Sequence, residues 1–416
     1  MKKFLTAITL AMVCVAATAQ NITYADYMQR VLTNNIALTA QRLNIEISAA
    51  KTQASKVRND ATLAVTYSSN EDWSKKLGDA IEGELSRTFT FGVRSSRIAL
   101  AQSKSEETAA LLEEYLRNFR ADATIAFLEQ IKATLKLRTA EQREKNLVQV
   151  AANDSVRYEH GEISEADLLE SRTAAGLARN SRIAAEATAK SCAIALGYYM
   201  GNLEGAADIT ACGTLQTDEE LAPLDHYTQR ATTHRADLRA ALNRINTAEA
   251  AQKFNTAQRR TDINVKIAAE YNRGAHKEEP AEPSFTTVKA GVAIPLKFSN
   301  LNRGARTADR LLVQQARREA EDANLLVQSE VMQAYNEYKY AILQTETFTA
   351  GAVENMNKVV EMKKKAYEKG DIPFLDYISV ENRSRDIEDE YIEALFNKAV
   401  KWVELQRAVG CKLDIQ

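Results

Sequence analysis

A long-range internal repeat is the sequence feature that most constrains the fold. The segment Tyr158–Ile163, with the sequence YEHGEI, matches Tyr367–Ile372, with the sequence YEKGDI, at an offset of 209 positions. The same offset aligns Asp167 with Asp376. A chain of 416 residues that repeats itself over such a distance is predicted to contain two copies of one structural unit.

The N-terminus predicts export. Lys2 and Lys3 precede an apolar run that ends in the small-residue sequence Ala17–Ala19, a pattern typical of a signal peptide and its cleavage site. We therefore predict a signal peptide over residues 1–19. The mature chain keeps three cysteines, too few and too odd a set to form a disulfide framework.

The boundary between the copies is predicted from turn-forming residues. Gly201, Gly205, Gly213 and Pro223 are concentrated before the next helical pattern begins. We place a first repeat at residues 20–201, a linker at 202–224 and a second repeat at 225–416.

Each copy is predicted to contain a leading helix, a pair of strands, and two long helices joined at the repeated glycine. Residues 97–159 contain no Gly or Pro, and apolar residues recur there at steps of three and four. A helix of roughly 60 residues is about 90 Å long and must pack lengthwise against others. In the second copy only Gly351 interrupts residues 305–367, and residues 374–409 have neither Gly nor Pro.

The two strand pairs alternate between apolar and polar residues with a period of two. Each predicted strand has about ten residues, the length of a tilted membrane strand, although the edge of a soluble sheet would show the same alternation. Four strands cannot close a membrane barrel alone, so several chains would have to share one. The predicted membrane-strand residues are Leu63, Val65, Tyr67, Leu85, Phe89, Phe91, Ile263, Val265, Ile267, Val288, Val292 and Ile294.

Composition and missing motifs argue against other classes of protein. The formal net charge of -2 gives no indication of a nucleic-acid partner. The sequence has no G-x-S-x-G, P-loop or dinucleotide-binding fingerprint, and its four histidines are scattered. We therefore predict no enzyme, no catalytic residues, no cofactor and no metal site. After the signal peptide, no run of 18 apolar residues predicts a membrane-spanning helix.

The repeat, the long helix pairs, the inserted strand pairs and the sequence Ile294–Leu296 resemble the outer-membrane factors, the TolC family of outer membrane efflux proteins. The two glycine motifs are the most specific marks of this resemblance, which covers the mature chain. It implies a mainly α fold with a membrane β-barrel part. In that fold a homotrimer builds one 12-stranded β-barrel, which an α-helical barrel continues into the periplasm.

The resemblance also implies a function, a location and partners. It predicts an outer-membrane duct for passive export, in contact with outer-membrane lipid, a periplasmic adaptor (membrane fusion) protein and an inner-membrane transporter. Multidrug efflux, metal-ion efflux and type I secretion of polypeptides all stay open. The alternative is an exported soluble coiled-coil scaffold, which long helices and strands in a soluble domain would equally permit.

Site residues follow from the same resemblance. It implies a periplasmic gate with links at Asp167 and Tyr367 and a constriction acid at Asp376, while Ile372 departs from the family, which can carry a basic residue there. For Asp167 the sequence also fits helix capping by Ser164, and the repeated glycines fit turns at helix ends. The predicted hairpin tips that dock the adaptor contain Tyr158, Gly161, Ile163, Ser164, Gly370, Asp371 and Ile372.

Overall fold

The computed structural model describes residues 20–72, 75–216, 221–274, 283–296, 303–349 and 351–410. The predicted signal peptide, residues 1–19, lies outside the described residues. The elements in chain order are β1 (Gln20–Thr23), α1 (Tyr24–Asn34), α2 (Ile36–Ser55), β2 (Ala61–Asp72), β3 (Lys75–Phe89), α3 (Val93–Glu159), α4 (Glu165–Tyr199), a 3₁₀ turn (Ala206–Asp208), β4 (Ile209–Cys212), α5 (Leu224–His234), α6 (Ala236–Gln258), β5 (Ile263–Arg273), β6 (Phe285–Ala293), α7 (Arg303–Thr349), α8 (Ala352–Glu368) and α9 (Phe374–Val409).

The long helices form as their sequences predict. α3 is continuous over 67 residues, because no Gly or Pro interrupts it. In the second copy the helical run is divided into α7 and α8 at Gly351, which adopts a φ of +97°. Among the described residues, no helix combines the length and hydropathy needed to span a lipid bilayer.

The leading helix of each copy is broken, which the sequence analysis did not predict. α1 and α2 are separated by Asn35, whose Oδ1 accepts a 3.0 Å hydrogen bond from the Leu38 amide while its Nδ2 donates to the Tyr199 carbonyl at 2.9 Å. α5 and α6 are separated at Arg235, which binds the Asp237 carboxylate. In each case a polar side chain caps or orders the break.

The chain divides into two compact units. The first contains the described residues within 20–39, 115–234 and 328–410, and the second contains the described residues within 40–114 and 235–327. The core of the first unit surrounds Tyr27 and Phe127, whose ring centroids lie 5.3 Å apart. The Tyr27 hydroxyl is satisfied there, since it donates a 3.1 Å hydrogen bond to the Ala123 carbonyl.

The segment predicted as a linker, residues 202–224, contributes to this core. β4 lies within it and pairs in parallel with β1, and Ala206, Ile209 and Leu215 are buried. Gln130 Nε2 donates to the Ile209 carbonyl at 3.3 Å. The segment therefore has secondary structure and packing of its own, whereas its role as the boundary between repeats stays a prediction.

The second unit contains a four-stranded antiparallel sheet in the order β2-β3-β5-β6. The register places Leu63 opposite Leu85 and Leu85 opposite Ile267, so apolar side chains line up across the strands on one side of the sheet. The two halves of the sequence thus meet at the β3–β5 pair. We call the aligned side the apolar face; its exposed members are Leu63, Val65, Tyr67, Ile81, Leu85, Phe89, Val265, Ile267, Tyr271, Val288 and Val292.

Two residues predicted to lie in membrane strands fall just outside the sheet. Phe91 lies in the turn between β3 and α3, because Gly92 adopts a φ of +77° and the chain enters the helix at Val93. Ile294 follows the last residue of β6, and Pro295 after it has no amide proton to continue the ladder. The predictions for these two positions are wrong by one or two residues.

Candidate functional site

The predicted site lies at two helix ends in the first unit, which are built alike. At the end of α3, the Gly161 amide donates to the Tyr158 carbonyl and the Glu162 amide to the Arg157 carbonyl, each at 2.9 Å. This pair of hydrogen bonds is the Schellman motif, which needs a residue in the left-handed region. Gly161 supplies it with a φ of +77°.

The end of α8 repeats the motif. Gly370 and Asp371 donate to the Tyr367 and Ala366 carbonyls, again each at 2.9 Å, and Gly370 has a φ of +84°. The sequence prediction that both repeated glycines are turn residues at helix ends is confirmed. The turns that end α3 and α8 therefore share one backbone hydrogen-bond pattern, and the differences between the tips begin after them.

The first tip starts the next helix with a capping box. Ser164 Oγ accepts a 3.1 Å hydrogen bond from the Asp167 amide, and the Asp167 carboxylate accepts hydrogen bonds from the Ser164 amide at 3.3 Å and from Ser164 Oγ at 2.7 Å. The capping interpretation of Asp167 is confirmed. Its carboxylate is partly buried, and its predicted part in a gate stays a prediction.

The second tip starts α9 differently. Pro373 occupies the N-cap position and offers no side-chain hydrogen bond to the helix. Asp376 lies in the first turn, where a negative charge is favourable, and its side chain is exposed. Of the predicted gate residues, Asp376 therefore has the carboxylate most available to a passage or to a neighbouring molecule.

Tyr367, predicted as a gate link, is 3% exposed and packs inside an aromatic cluster. Its ring stacks on Tyr377 at 5.7 Å with an interplanar angle of 6° and meets Phe374 edge-on at 5.6 Å. Burial raises the pKa of Tyr367, and interaction with the Asp154 carboxylate raises it further. The phenol therefore stays neutral and is held within its own chain.

Arg157 joins the two tips. Its Nη1 donates to the Tyr367 carbonyl at 3.4 Å, and its guanidinium carbon lies 5.3 Å from the Tyr367 ring centroid. It also pairs with Asp154 at 3.7 Å and Glu162 at 3.5 Å. Since the Asp154 side chain is only 1% exposed, Arg157 compensates a buried negative charge.

The sequence analysis missed Arg157, Asp154, Phe374 and Tyr377 as members of this site. The repeat offered one signal, because Arg157 aligns with Ala366 and the charge is present in one copy only. In contrast, the predicted tip residues Tyr158, Ile163, Ser164, Asp371 and Ile372 all lie on the two tip segments, exposed or half-buried.

The arrangement of the tips provides a defined backbone shape and charged side chains. In the described part of the chain, no group of three His, Cys, Asp or Glu side chains is placed to hold a metal ion. Cys192 and Cys212 are free thiols, and burial raises the pKa of Cys192. What the tips do offer is a pair of glycine turns, several exposed acids, Asp376 among them, and an arginine that ties the turns together.

The family comparison matches the second half of the chain. Residues 227–411 match the model of the outer membrane efflux protein family. No curated protein matches the sequence.

Solved structures match nearly the whole fold. The Campylobacter jejuni CmeC outer membrane channel has a TM-score of 0.78 at 12% identity, covering 93% of this chain and 85% of that one. The outer-membrane channel OprN has a TM-score of 0.76 at 15% identity, with 93% and 90% covered. The outer membrane protein VceC from Vibrio cholerae has a TM-score of 0.74 at 14% identity, with 92% and 95% covered.

The described fold is that of the outer-membrane channels. Residues 227–411 match the outer membrane efflux protein family, in agreement with the family that the repeat and the tip motifs predicted.

Proposed function

We propose that this protein is the duct subunit of a tripartite efflux or type I secretion system in the outer membrane. Three copies would share one 12-stranded barrel, and substrates would pass without any reaction catalysed by this chain. An inner-membrane transporter would supply the energy, and a periplasmic adaptor would dock at the two tips. The family and the solved structures do not favour the soluble-scaffold alternative.

The observation that carries the proposal is the exposed apolar face of the sheet. Leu63, Val65 and Val288 are 71%, 72% and 74% exposed. A contiguous row of exposed aliphatic and aromatic side chains on one side of a sheet is unfavourable in water and favourable against lipid. We therefore assign this face to the lipid of the outer membrane.

The opposite side of the sheet is charged, as the lumen of a barrel requires. Lys266 pairs with Glu84 at 3.1 Å and Lys289 pairs with Glu82 at 3.4 Å, in both cases across strands. Lys289 also binds Glu270. Charges that are satisfied by one another within the protomer leave a hydrophilic surface for a water-filled passage.

The tips would close this passage at its periplasmic end. We propose that Asp376, exposed at the start of α9, forms a ring of three carboxylates that favours cations. Asp167 and Tyr367 would support the closed state by holding the two tips in shape: Asp167 through its capping box, Tyr367 through its aromatic packing. Tyr158, Gly161, Ile163, Ser164, Gly370, Asp371 and Ile372 would form the surface that the adaptor meets.

The test is to fractionate the membranes of producing cells, extract the protein in mild detergent, and measure its mass and its single-channel conductance in planar bilayers. We expect a trimer that conducts, and a loss of cation preference in Asp376→Asn. The matched control is Glu354→Gln, an exposed charge on α8 about 20 Å along the helix from Tyr367, which should leave the preference unchanged. A monomer that is soluble without detergent and does not conduct would refute the proposal.

A further inference from the structure

A cavity rich in arginine lies where the first strand pair meets its helices. It has a volume of about 280 Å³ and lies within the second unit, at the segment between α2 and β2, the end of β3 and the start of α3. Four guanidinium groups contribute to its wall, together with apolar side chains. We call it the arginine pocket; the residues that matter are Val57, Arg58, Arg87, Phe89, Arg94 and Arg97.

Two of the arginines are fixed by the end of α2. Arg94 Nε donates to the Lys56 carbonyl at 2.8 Å, and Arg97 Nε donates to the Ser55 carbonyl at 2.9 Å. These bonds satisfy carbonyl groups that the helix leaves free at its C-terminus. A guanidinium has five N–H donors, so both side chains keep donors for a further acceptor.

The other two arginines are exposed and lack acidic partners. In the described part of the chain, neither Arg58 nor Arg87 pairs with a carboxylate. Elsewhere in the same unit, by contrast, Arg244, Arg259 and Arg317 bind carboxylates at 3.2, 2.6 and 2.9 Å. Positive charge is therefore concentrated in the arginine pocket without compensation from acids, which indicates an anionic ligand.

Arg87 shows which kind of anion. It follows Leu85 and precedes Phe89 on the same side of β3, so it belongs to the apolar face, with its guanidinium carbon 5.6 Å from the Phe89 ring centroid. An arginine on a lipid-facing surface is costly at mid-membrane and tolerated only near the headgroups. Its position near the helix-bearing end of β3 puts it where a lipid phosphate would lie.

We propose that the arginine pocket binds the phosphate of an anionic phospholipid at the edge of the outer membrane from which the helices project. Guanidinium groups bind phosphate through paired hydrogen bonds. The exposed side chains of Val57 and Phe89 line the pocket, and exposed Leu85 lies two residues before Arg87 on the same side of β3, where acyl chains would run. The ligand is thus a phospholipid rather than free phosphate. This inference rests on the membrane placement of the sheet proposed above.

The test is native mass spectrometry of the detergent-extracted protein titrated with dioctanoyl phosphatidylglycerol. We expect saturable binding that becomes about tenfold weaker or more in the double variant Arg58→Gln/Arg87→Gln, because two charge-assisted contacts are lost. Arg94 and Arg97 are not substituted, because their side chains bind carbonyl groups at the end of α2. The matched control is Arg317→Gln/Arg318→Gln, two exposed arginines on α7 in the same unit, which should bind the lipid as the unaltered protein does.

Three further probes make the outcome decisive. Dioctanoylglycerol, which lacks the phosphate, should not bind at this site. Inorganic phosphate should not compete with the lipid at equal concentration. Effective competition would reassign the pocket to free phosphate and overturn the proposal. The variant Arg58→Lys/Arg87→Lys keeps the charge and should bind with intermediate affinity. Unchanged lipid binding in the variant Arg58→Gln/Arg87→Gln would also overturn the proposal. Conductance of the same variants separates this result from the proposed function, since a conducting trimer without lipid binding would refute only the lipid site.

Discussion

Arg157 on the first tip contacts Tyr367 on the second in two ways: its Nη1 donates a 3.4 Å hydrogen bond to the Tyr367 carbonyl, and its guanidinium carbon lies 5.3 Å from the ring centroid. The two residues come from different copies of the repeat, yet the link is formed within one chain. The arrangement of the two tips is therefore stabilised within one chain, whatever contacts other protomers add.

Removing Arg157 should loosen the tips. In Arg157→Ala the buried Asp154 carboxylate loses its partner, a cost of about 2 kcal/mol. Hydrogen-exchange mass spectrometry should show the last turn of α8 opening about 30-fold more often, together with more frequent conducting states in bilayers. Arg179→Ala, an exposed arginine on α4, is the control; equal exchange in both variants would contradict the role of Arg157.

The buried position of Tyr367 predicts that its ring matters and its hydroxyl does not. Tyr367→Phe keeps the stacking on Tyr377 and removes a buried hydroxyl that has no hydrogen bond of good geometry, so conductance and thermal stability should be unchanged or slightly improved. Tyr367→Ala should destabilise the tips by about 3 to 5 kcal/mol. If Tyr367→Phe alone opens the channel, the hydroxyl forms the link between protomers that the family resemblance implied.

The two repeat-related acids should respond differently to substitution. Asp167→Ala breaks the capping box and should destabilise the start of α4 by about 1 kcal/mol, seen as faster amide exchange there. Asp376→Asn breaks no hydrogen bond of its carboxylate and should leave the start of α9 as protected as before, while changing ion preference. A loss of protection at α9 in Asp376→Asn would mean that its side chain has a structural role.

Glu381 should make stability depend on pH. It is 9% exposed, and burial raises the pKa of its carboxyl above the usual 4.5, although Arg143 and Lys364 partly oppose the shift. A raised folded-state pKa means that the contribution of Glu381 to stability is fully present below pH 4.5 and is lost as the pH rises through the folded value. Glu381→Gln should therefore raise the melting temperature at pH 8 and leave it unchanged at pH 4.

The matched control for this pH dependence is Glu390→Gln, an exposed glutamate on the same helix. It should leave the melting temperature unchanged at both pH values. A Glu381→Gln variant that is less stable than the unaltered protein at pH 8 would show that the ionised carboxylate is held favourably by Arg143.

The sequence was sufficient to predict features governed by local rules. The end of α3 at Glu159 and the start of α9 at Phe374 follow from the glycine turns and from Pro373. The sheet was predicted because the alternation of apolar and polar side chains is a local pattern too, and only Phe91 and Ile294, at the strand ends, were misplaced.

Features that depend on distant partners were missed. The break at Asn35 is completed by the Tyr199 carbonyl, 164 positions away, and the pairing of β1 with β4 joins four residues at the start of the first copy to four residues in the predicted linker. The burial of Tyr367 depends on the rings of Phe374 and Tyr377. A period of two or 3.6 contains no information about such partners, so a site that depends on them becomes visible only in the structure.

The edges of the sheet determine how one defective chain would affect the other chains of the proposed trimer. In the described sheet β2 and β6 are the outer strands, each paired along one edge, and they run in opposite directions. β6 of one protomer can therefore pair antiparallel with β2 of the next around a closed ring, and each protomer is needed to pair with the free strand edges of both neighbours. A cell that makes equal amounts of intact chain and of chain with a proline in β6 would assemble only about one wholly intact ring in eight, so such an allele should be dominant over the intact one.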